Sequence, residues 1–331
     1  MKNILKFEDL SPKKSVPIEQ EIKWKGYGED LLFGFIYLSK KYNNFSFPIE
    51  KINQPNQIMW KIVVSYRCLS KKYDSKMKLI FPSSEKNYFK QIENYILEFN
   101  NSNSIKTNLT KKQKLNKKSI SKKIINKKSN SKKIIKNNLK PKKLDKKRFV
   151  LMPIYLGSED CDVSKGHFNI MIFDILNKTI ERFEPYGSSL KQSEHKLFDK
   201  LLEKTFNKYL IKYGKIKVIV PDLLMNKKSF QTIEEDEVEQ GISNRRLSDP
   251  GGFCGVWGIW FINLRLKFPN LETKILLQKA EKLIKNKYNF RKFIRNYSQF
   301  LIQERKKMLG GKSIQDLDDF QLSKKIIKLI K

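Results

Sequence analysis

The stretch GHFNIMIFDILNKTIERFEPYG, residues 166–187, decides the fold. HFNIMIFDI (167–175) and TIERFEP (179–185) are apolar runs joined by Leu-Asn-Lys, a pattern that predicts a β-hairpin. His167 opens the first strand and Glu184 closes the second, so pairing brings the two ends within side-chain reach. A carboxylate facing one ring nitrogen fixes the imidazole tautomer and stabilises the imidazolium. The other nitrogen is then left to take a proton. Asn169 shares a strand face with His167 by alternation and is a second candidate for orienting it.

Further along stands DPGGFCGVWGIWF, residues 249–261. Cys254 follows Pro250, Gly251, Gly252 and Phe253 directly and precedes GVWGIWFINLRLKF, which is apolar on nearly every face and stopped by Pro269. An all-round apolar helix belongs in the centre of a domain. A sulfur at its first turn meets unpaired amide hydrogens and the positive end of the macrodipole, which favour thiolate, the nucleophilic form. Flanking glycines let a substrate backbone come close. Buried packing of a small apolar Cys is the plainer alternative.

The remaining pattern supplies the frame. Residues 29–42 and 87–99 have helical apolar spacing, the latter with Tyr88, Phe89, Ile92, Tyr95 and Ile96 on one side. MWKIVVSYRCL (59–69), KMKLIFP (76–82), RFVLMPIYL (148–156) and KIKVIV (215–220) read as strands. Trp24, Trp60 and Cys68 are expected in the core. Residues 188–214 form a long helix capped by Ser188 or Ser189 and ended by Gly214, with His195 as an ordinary helix residue rather than a catalytic one. Residues 271–308 are helical, basic and amphipathic, with a solvated basic face.

Composition excludes several classes. Lys and Arg number 69 against 34 Asp and Glu, a net charge of +35, yet 12% of the 331 residues are aromatic, which a wholly disordered chain would lack. No apolar run approaches the roughly 20 residues of a membrane span, and MKNILKFEDL has no signal-peptide pattern. Three Cys (Cys68, Cys161, Cys254) and two His (His167, His195) suit free thiols in a reducing compartment. They cannot build a zinc framework, and neither metal nor cofactor is implied. Cys161 follows Glu159 and Asp160, whose charges disfavour a thiolate. Residues 101–148 hold 18 Lys and one Arg against one acid, repeat SKKII at Ser121 and Ser131, and contain no aromatic. This arm reads as disordered, either a solvated insertion or a non-specific nucleic-acid-binding segment.

The residues carry a resemblance. Residues 166–187 resemble the His…Glu hairpin of the adenovirus maturation protease, down to its F-E-P-aromatic-G string. Residues 249–261 are similar to the nucleophile segment of the papain-like superfamily that contains that enzyme, the SUMO and ubiquitin-like proteases, and the cysteine proteases of large cytoplasmic DNA viruses. The order His, acid, Cys also matches, whereas papain itself has Cys first. The resemblance covers residues 148–270. It implies an α+β papain-like core of the adenovirus-protease type: a central mixed sheet against a buried helix starting at the nucleophile. It implies a Cys254–His167–Glu184 triad and a polypeptide substrate. The superfamily places an oxyanion-hole Gln a few residues before Cys, but here the nearest are Gln240 and Gln231, 14 and 23 residues before Cys254. SFQTIEE follows KIKVIV and PDLL, where the Gln segment is expected, which favours Gln231 over Gln240. Glycine-loop amides acting alone are the further possibility.

The expected organisation is a tail (1–20), an α/β segment packing on the core (21–100), the Lys-rich insertion (101–147), a catalytic core (148–270) and basic C-terminal helices (271–331). The expected function is a cysteine endopeptidase processing viral structural polyproteins, in the virion or infected-cell cytoplasm and neither secreted nor membrane-bound. A ubiquitin- or SUMO-like isopeptidase and a non-enzymatic nucleic-acid-binding protein with a protease-like core are the alternatives.

Overall fold

The computed structural model describes residues 5–11, 28–48, 50–51, 58–59, 61–66, 78–102, 147–158, 167–187, 192–245, 249–250 and 252–330. Trp24, Trp60, Cys68, Cys161, Ser188, Ser189 and nearly all of the lysine-rich arm lie outside the described residues.

The architecture is α+β around a mixed sheet. Its strands are β1 (Phe45–Ser46), β4 (Ile62–Tyr66), β5 (Lys78–Ile80), β6 (Phe149–Ser158), β7 (His167–Asp174), β8 (Thr179–Phe183) and β9 (Lys217–Ile219). They run in the order β5-β4-β6-β7-β8-β9, with β1 also on β6. β2 (Glu50–Lys51) and β3 (Ile58–Met59) pair separately. The predicted hairpin is β7–β8, antiparallel with Ile170 opposite Phe183. β4 and β1 share one edge of β6, pairing residues 154–158 and 149–150 respectively. Pro153, which cannot donate to a ladder, falls in the gap between them.

β6 and β7 read as continuous apolar runs because both sheet faces are covered. Alternate residues divide between two layers. Phe149, Leu151, Phe168, Ile170 and Ile172 join α2 (Gly28–Lys41) and α7 (Cys254–Lys267) in one cluster. Val150, Met152, Met171 and Phe173 join α3 (85–102) and α4 (Gln192–Leu210) in the other. α7 is buried from Gly255 to Leu266, as its all-round apolar sequence requires. Gly258 lets it lie against the sheet, since a Cβ there would stand 2.8 Å from Ile170. Buried Arg265 of α7 holds Glu181 of β8 at 2.9 and 3.1 Å, and Phe261 stacks on Phe183 at 4.4 Å. α7 therefore runs against the direction of β8, which puts its first turn at the end of the sheet where β7 begins and β8 finishes.

One expectation needs correction. Residues 271–308 are two helices, α8 (Thr273–Lys287) and α9 (Phe290–Met308), parted where the Asn289 side chain caps α9 by accepting from the Lys292 amide. The basic face is solvated as expected, with Lys274, Lys279, Lys282, Lys285, Lys292, Lys306 and Lys307 exposed, and the opposite face is buried. Phe290, Phe293, Ile294, Tyr297 and Leu301 form a buried stripe at i, i+3, i+4 spacing, and Trp257 of α7 stacks on Phe293. The 188–214 helix is α4, followed by a 3-10 turn (Ile211–Tyr213) and Gly214 at φ +108°. α1 (Phe7–Leu10), α5 (Pro221–Leu224), α6 (Phe230–Glu239) and α10 (Asp319–Ile330) complete the elements. Among the described residues no helix is long and apolar enough to cross a membrane.

Candidate active site

The three residues singled out from the sequence meet at that end of the sheet. Nε2 of His167, the first residue of β7, lies 2.5 Å from Oε1 of Glu184, which is fully buried just past β8. The same carboxylate oxygen accepts the Tyr186 amide at 3.1 Å, so its position is set by its own turn. The imidazole also hydrogen-bonds the sulfur of Cys254, the half-buried first residue of α7. Burial alone drives His167 towards neutrality. The Glu184 charge and the hydrogen bonds to Cys254 and Glu184 outweigh it and raise the group from 6.5 to about 10.

Asn169, the second candidate orienter, does not serve His167. It is buried one strand turn deeper, where its Oδ1 accepts from Arg182 at 2.9 Å. Arg182 in turn grips Asp199 of α4 at 2.6 and 2.9 Å. A guanidinium buried at 0% exposure needs that polar company, and Asn169 provides part of it. His195 stands in the first turn of α4.

The two glutamines separate cleanly. Gln231 is in the first turn of α6 and 1% exposed, while Gln240 is exposed at the far end of the same helix. The turn after β8 locks onto the start of α6: the Gln231 amide donates to the Pro185 carbonyl at 2.9 Å, and Thr232 Oγ1 to the Tyr186 carbonyl at 2.7 Å. Gly187, at φ +86°, permits this contact, because a Cβ there would stand 2.7 Å from the Asn226 carbonyl. Gln231 Nε2 faces the loop before Cys254, 2.9 Å from where a Cβ on Gly252 would be. It donates to Tyr186 Oη at 2.9 Å and to Glu235 Oε1 at 3.2 Å. Tyr186 Oη donates to the same Glu235 oxygen at 2.8 Å, and its ring lies 5.1 Å from that of His167. Burial and then the Glu235 hydrogen bond push the Tyr186 phenol upward, so it stays a donor.

α7 begins without a side-chain cap, since Phe253 occupies the N-cap position. The amide hydrogens of its first turn have no carbonyl partner within the helix. The loop leading to them is anchored from α9. Asp249 accepts from Arg291 at 2.7 Å and from Arg295 at 2.9 and 2.6 Å. Arg291 also pairs with buried Glu234 of α6 and lies 5.1 Å over the Phe253 ring. Burial, only partly offset by Arg291, raises Glu234 to about 7. One charged cluster thus ties together the loop before Cys254, the helix bearing Gln231, and α9.

No protein-family profile matches the chain. A sequence relative, described as an ankyrin repeat protein of Acanthamoeba polyphaga mimivirus, is 32% identical over 188 residues, covering 54% of this chain and 22% of that protein. The chain thus spans less than a quarter of that relative's length. Among solved structures, Chlamydia trachomatis effector protein ChlaDUB1 is similar at a TM-score of 0.36 and 13% identity, over 88% of each chain. Chlamydia trachomatis effector protein Cdu1 bound to ubiquitin is similar at 0.40 and 13%, over 91% of this chain and 98% of that one. Likenesses at these scores decide nothing about the reaction.

Sequence reasoning missed Tyr186, Glu235, Asp249, Arg291 and Arg295. Tyr186 stood inside the quoted F-E-P-Y-G string and was available. Nothing local marks Arg291 or Arg295 among the many basic residues of the C-terminal region.

Proposed function

We propose that the chain is a cysteine peptidase with Cys254 as nucleophile, His167 as general base and acid, and Glu184 as the group that orients His167. The observation that carries this reading is a single imidazole joined at once to the Cys254 sulfur and the buried Glu184 carboxylate. The fold it implies is the papain-like core of the adenovirus-protease type.

At neutral pH His167 already holds its proton, so the Cys254 sulfur attacks the scissile carbonyl carbon as a thiolate beside the imidazolium. Negative charge develops on the carbonyl oxygen, where Gln231 Nε2 and the Cys254 amide are the donors; turning Nε2 towards it loosens its bond to Tyr186 or Glu235. His167 then protonates the leaving amine as the C–N bond breaks, leaving a thioester. Water gives a proton to His167, attacks the thioester and releases the acid, and the thiolate–imidazolium pair is restored. Glu184 keeps the imidazolium paired throughout, without itself taking the proton.

The substrate is a polypeptide, and processing of a larger polyprotein is the use that the family resemblance implies. Cleavage of fluorogenic peptides by the parent, abolished in Cys254→Ala with an unchanged thermal midpoint, is the expected result. Undiminished cleavage by that variant overturns the proposal. A lysine-branched substrate in the same assay distinguishes isopeptide from main-chain cleavage.

A further inference from the structure

We propose that Glu235 forms a subsite for a cationic substrate side chain, lysine or arginine, next to the reacting carbonyl. The inference rests on the peptidase reading and adds a substrate class to it.

Glu235 is half-buried on α6, one turn past Gln231. Its Oε1 accepts from Tyr186 Oη at 2.8 Å and from Gln231 Nε2 at 3.2 Å, both neutral donors. Among the described residues no lysine, arginine or histidine stands within ion-pair distance of it. That sets it apart from Glu234, which is paired with Arg291, and from Asp236, which is paired with Lys228 at 2.8 Å; Glu237, on the far side of the helix, instead receives the Phe290 and Arg291 backbone amides at 2.8 and 2.9 Å. In a chain with a net charge of +35 a partly desolvated carboxylate without a cation is out of keeping with its surroundings.

Its position makes the missing charge consequential. The carboxylate lies against the very amide that faces Gly252 and the Cys254 turn. A fixed negative charge there opposes the negative charge that develops on the substrate carbonyl oxygen, and in a partly desolvated site that repulsion is weakly screened. A substrate ammonium or guanidinium seated on Glu235 cancels it. A second group also awaits a partner: Gln231 Oε1 is buried with no hydrogen-bond partner among the described residues, and so is left to accept an N–H that a substrate brings. A basic substrate residue therefore contributes at the transition state as well as to binding, and the preference should appear in kcat as well as in KM.

The test uses the full chain and fluorogenic peptides that differ only by Lys, Ala or Glu at each position flanking the scissile bond. The parent should favour Lys over Ala at one position by about 10- to 100-fold in kcat/KM, the worth of one charge-assisted hydrogen bond. Glu235→Gln should bring that ratio close to one, and Glu235→Lys should invert it towards Glu. The parent's preference should also shrink at high salt, a readout that needs no variant to fold. Cys254-dependent cleavage blind to substrate charge, or a lysine preference kept in Glu235→Gln, overturns the subsite alone. Absence of Cys254-dependent cleavage with every peptide overturns the peptidase reading and the subsite with it.

Discussion

His167 Nε2 and Glu184 Oε1 stand 2.5 Å apart, with Glu184 inaccessible to solvent and His167 at 16% side-chain exposure. A carboxylate so placed acts on the ring's charge more than on the fold's shape. Glu184→Gln keeps the geometry and removes the charge, so burial then governs and the imidazole becomes easier to deprotonate. The expected outcome is a drop in kcat/KM of about 10²- to 10⁴-fold, with the His167 titration, followed by NMR of its ring protons, moving down from about 10. An unmoved titration would contradict the assignment.

The same pair makes stability depend on pH. Below about 6.5 folded and unfolded chains both hold the His167 proton, and the pairing contributes in full. Between about 6.5 and about 10 only the folded state keeps it, so the unfolding free energy should fall as pH rises through that window. Denaturant titrations at several pH values should show this slope in the parent and a flatter one in His167→Gln.

Gly252→Ala should separate activity from stability. Its new Cβ would stand 2.9 Å from Gln231 Nε2, the far end of a side chain able to swing away. On the proposed mechanism this displaces one oxyanion donor, at about 10²- to 10³-fold in kcat, and the thermal midpoint should hardly change. Gly187→Ala is the contrast: positive φ and close backbone carbonyls leave it nowhere to relax. It should lose about 1–3 kcal/mol from backbone strain alone, and activity with it.

Asp249→Ala should do damage of both kinds. It leaves Arg291 and Arg295 facing a gap; the Arg291 side chain is only 5% exposed. Removing one partner of a buried pair costs about 3–5 kcal/mol, readable in denaturant unfolding. The freed Pro250–Phe253 loop should also slow alkylation of Cys254 near neutral pH, because sulfur and imidazole are no longer held in register.

His195→Ala should retain parental kcat/KM. A loss comparable to that of His167→Ala would place the general base on α4 instead of β7.

Much of this was legible because the deciding signals are local. The β7–β8 hairpin announced itself through two apolar runs and a short turn, and α7 through fourteen residues with no polar face. What stayed hidden depends on distant contacts. Asn169 and His167 share a strand face by alternation, but only the tertiary structure shows Arg182 and Asp199 claiming Asn169. The break at Asn289 escaped notice because basic side chains continue across it; the cap is one oxygen meeting one amide. The approach of Gln231 to Gly252 runs through the turn at Tyr186 and Gly187, a tertiary contact that sequence distance does not record.

Arg291 lies 37 residues beyond Cys254, well outside the stretch that resembles a peptidase motif. A gene fragment cut at Pro269 would encode sulfur, imidazole and carboxylate and still lack the guanidinium that moors Asp249. Such a fragment should be inert alone, and adding α8 and α9 as a separate peptide should restore it, as split enzymes regain function when their halves recombine.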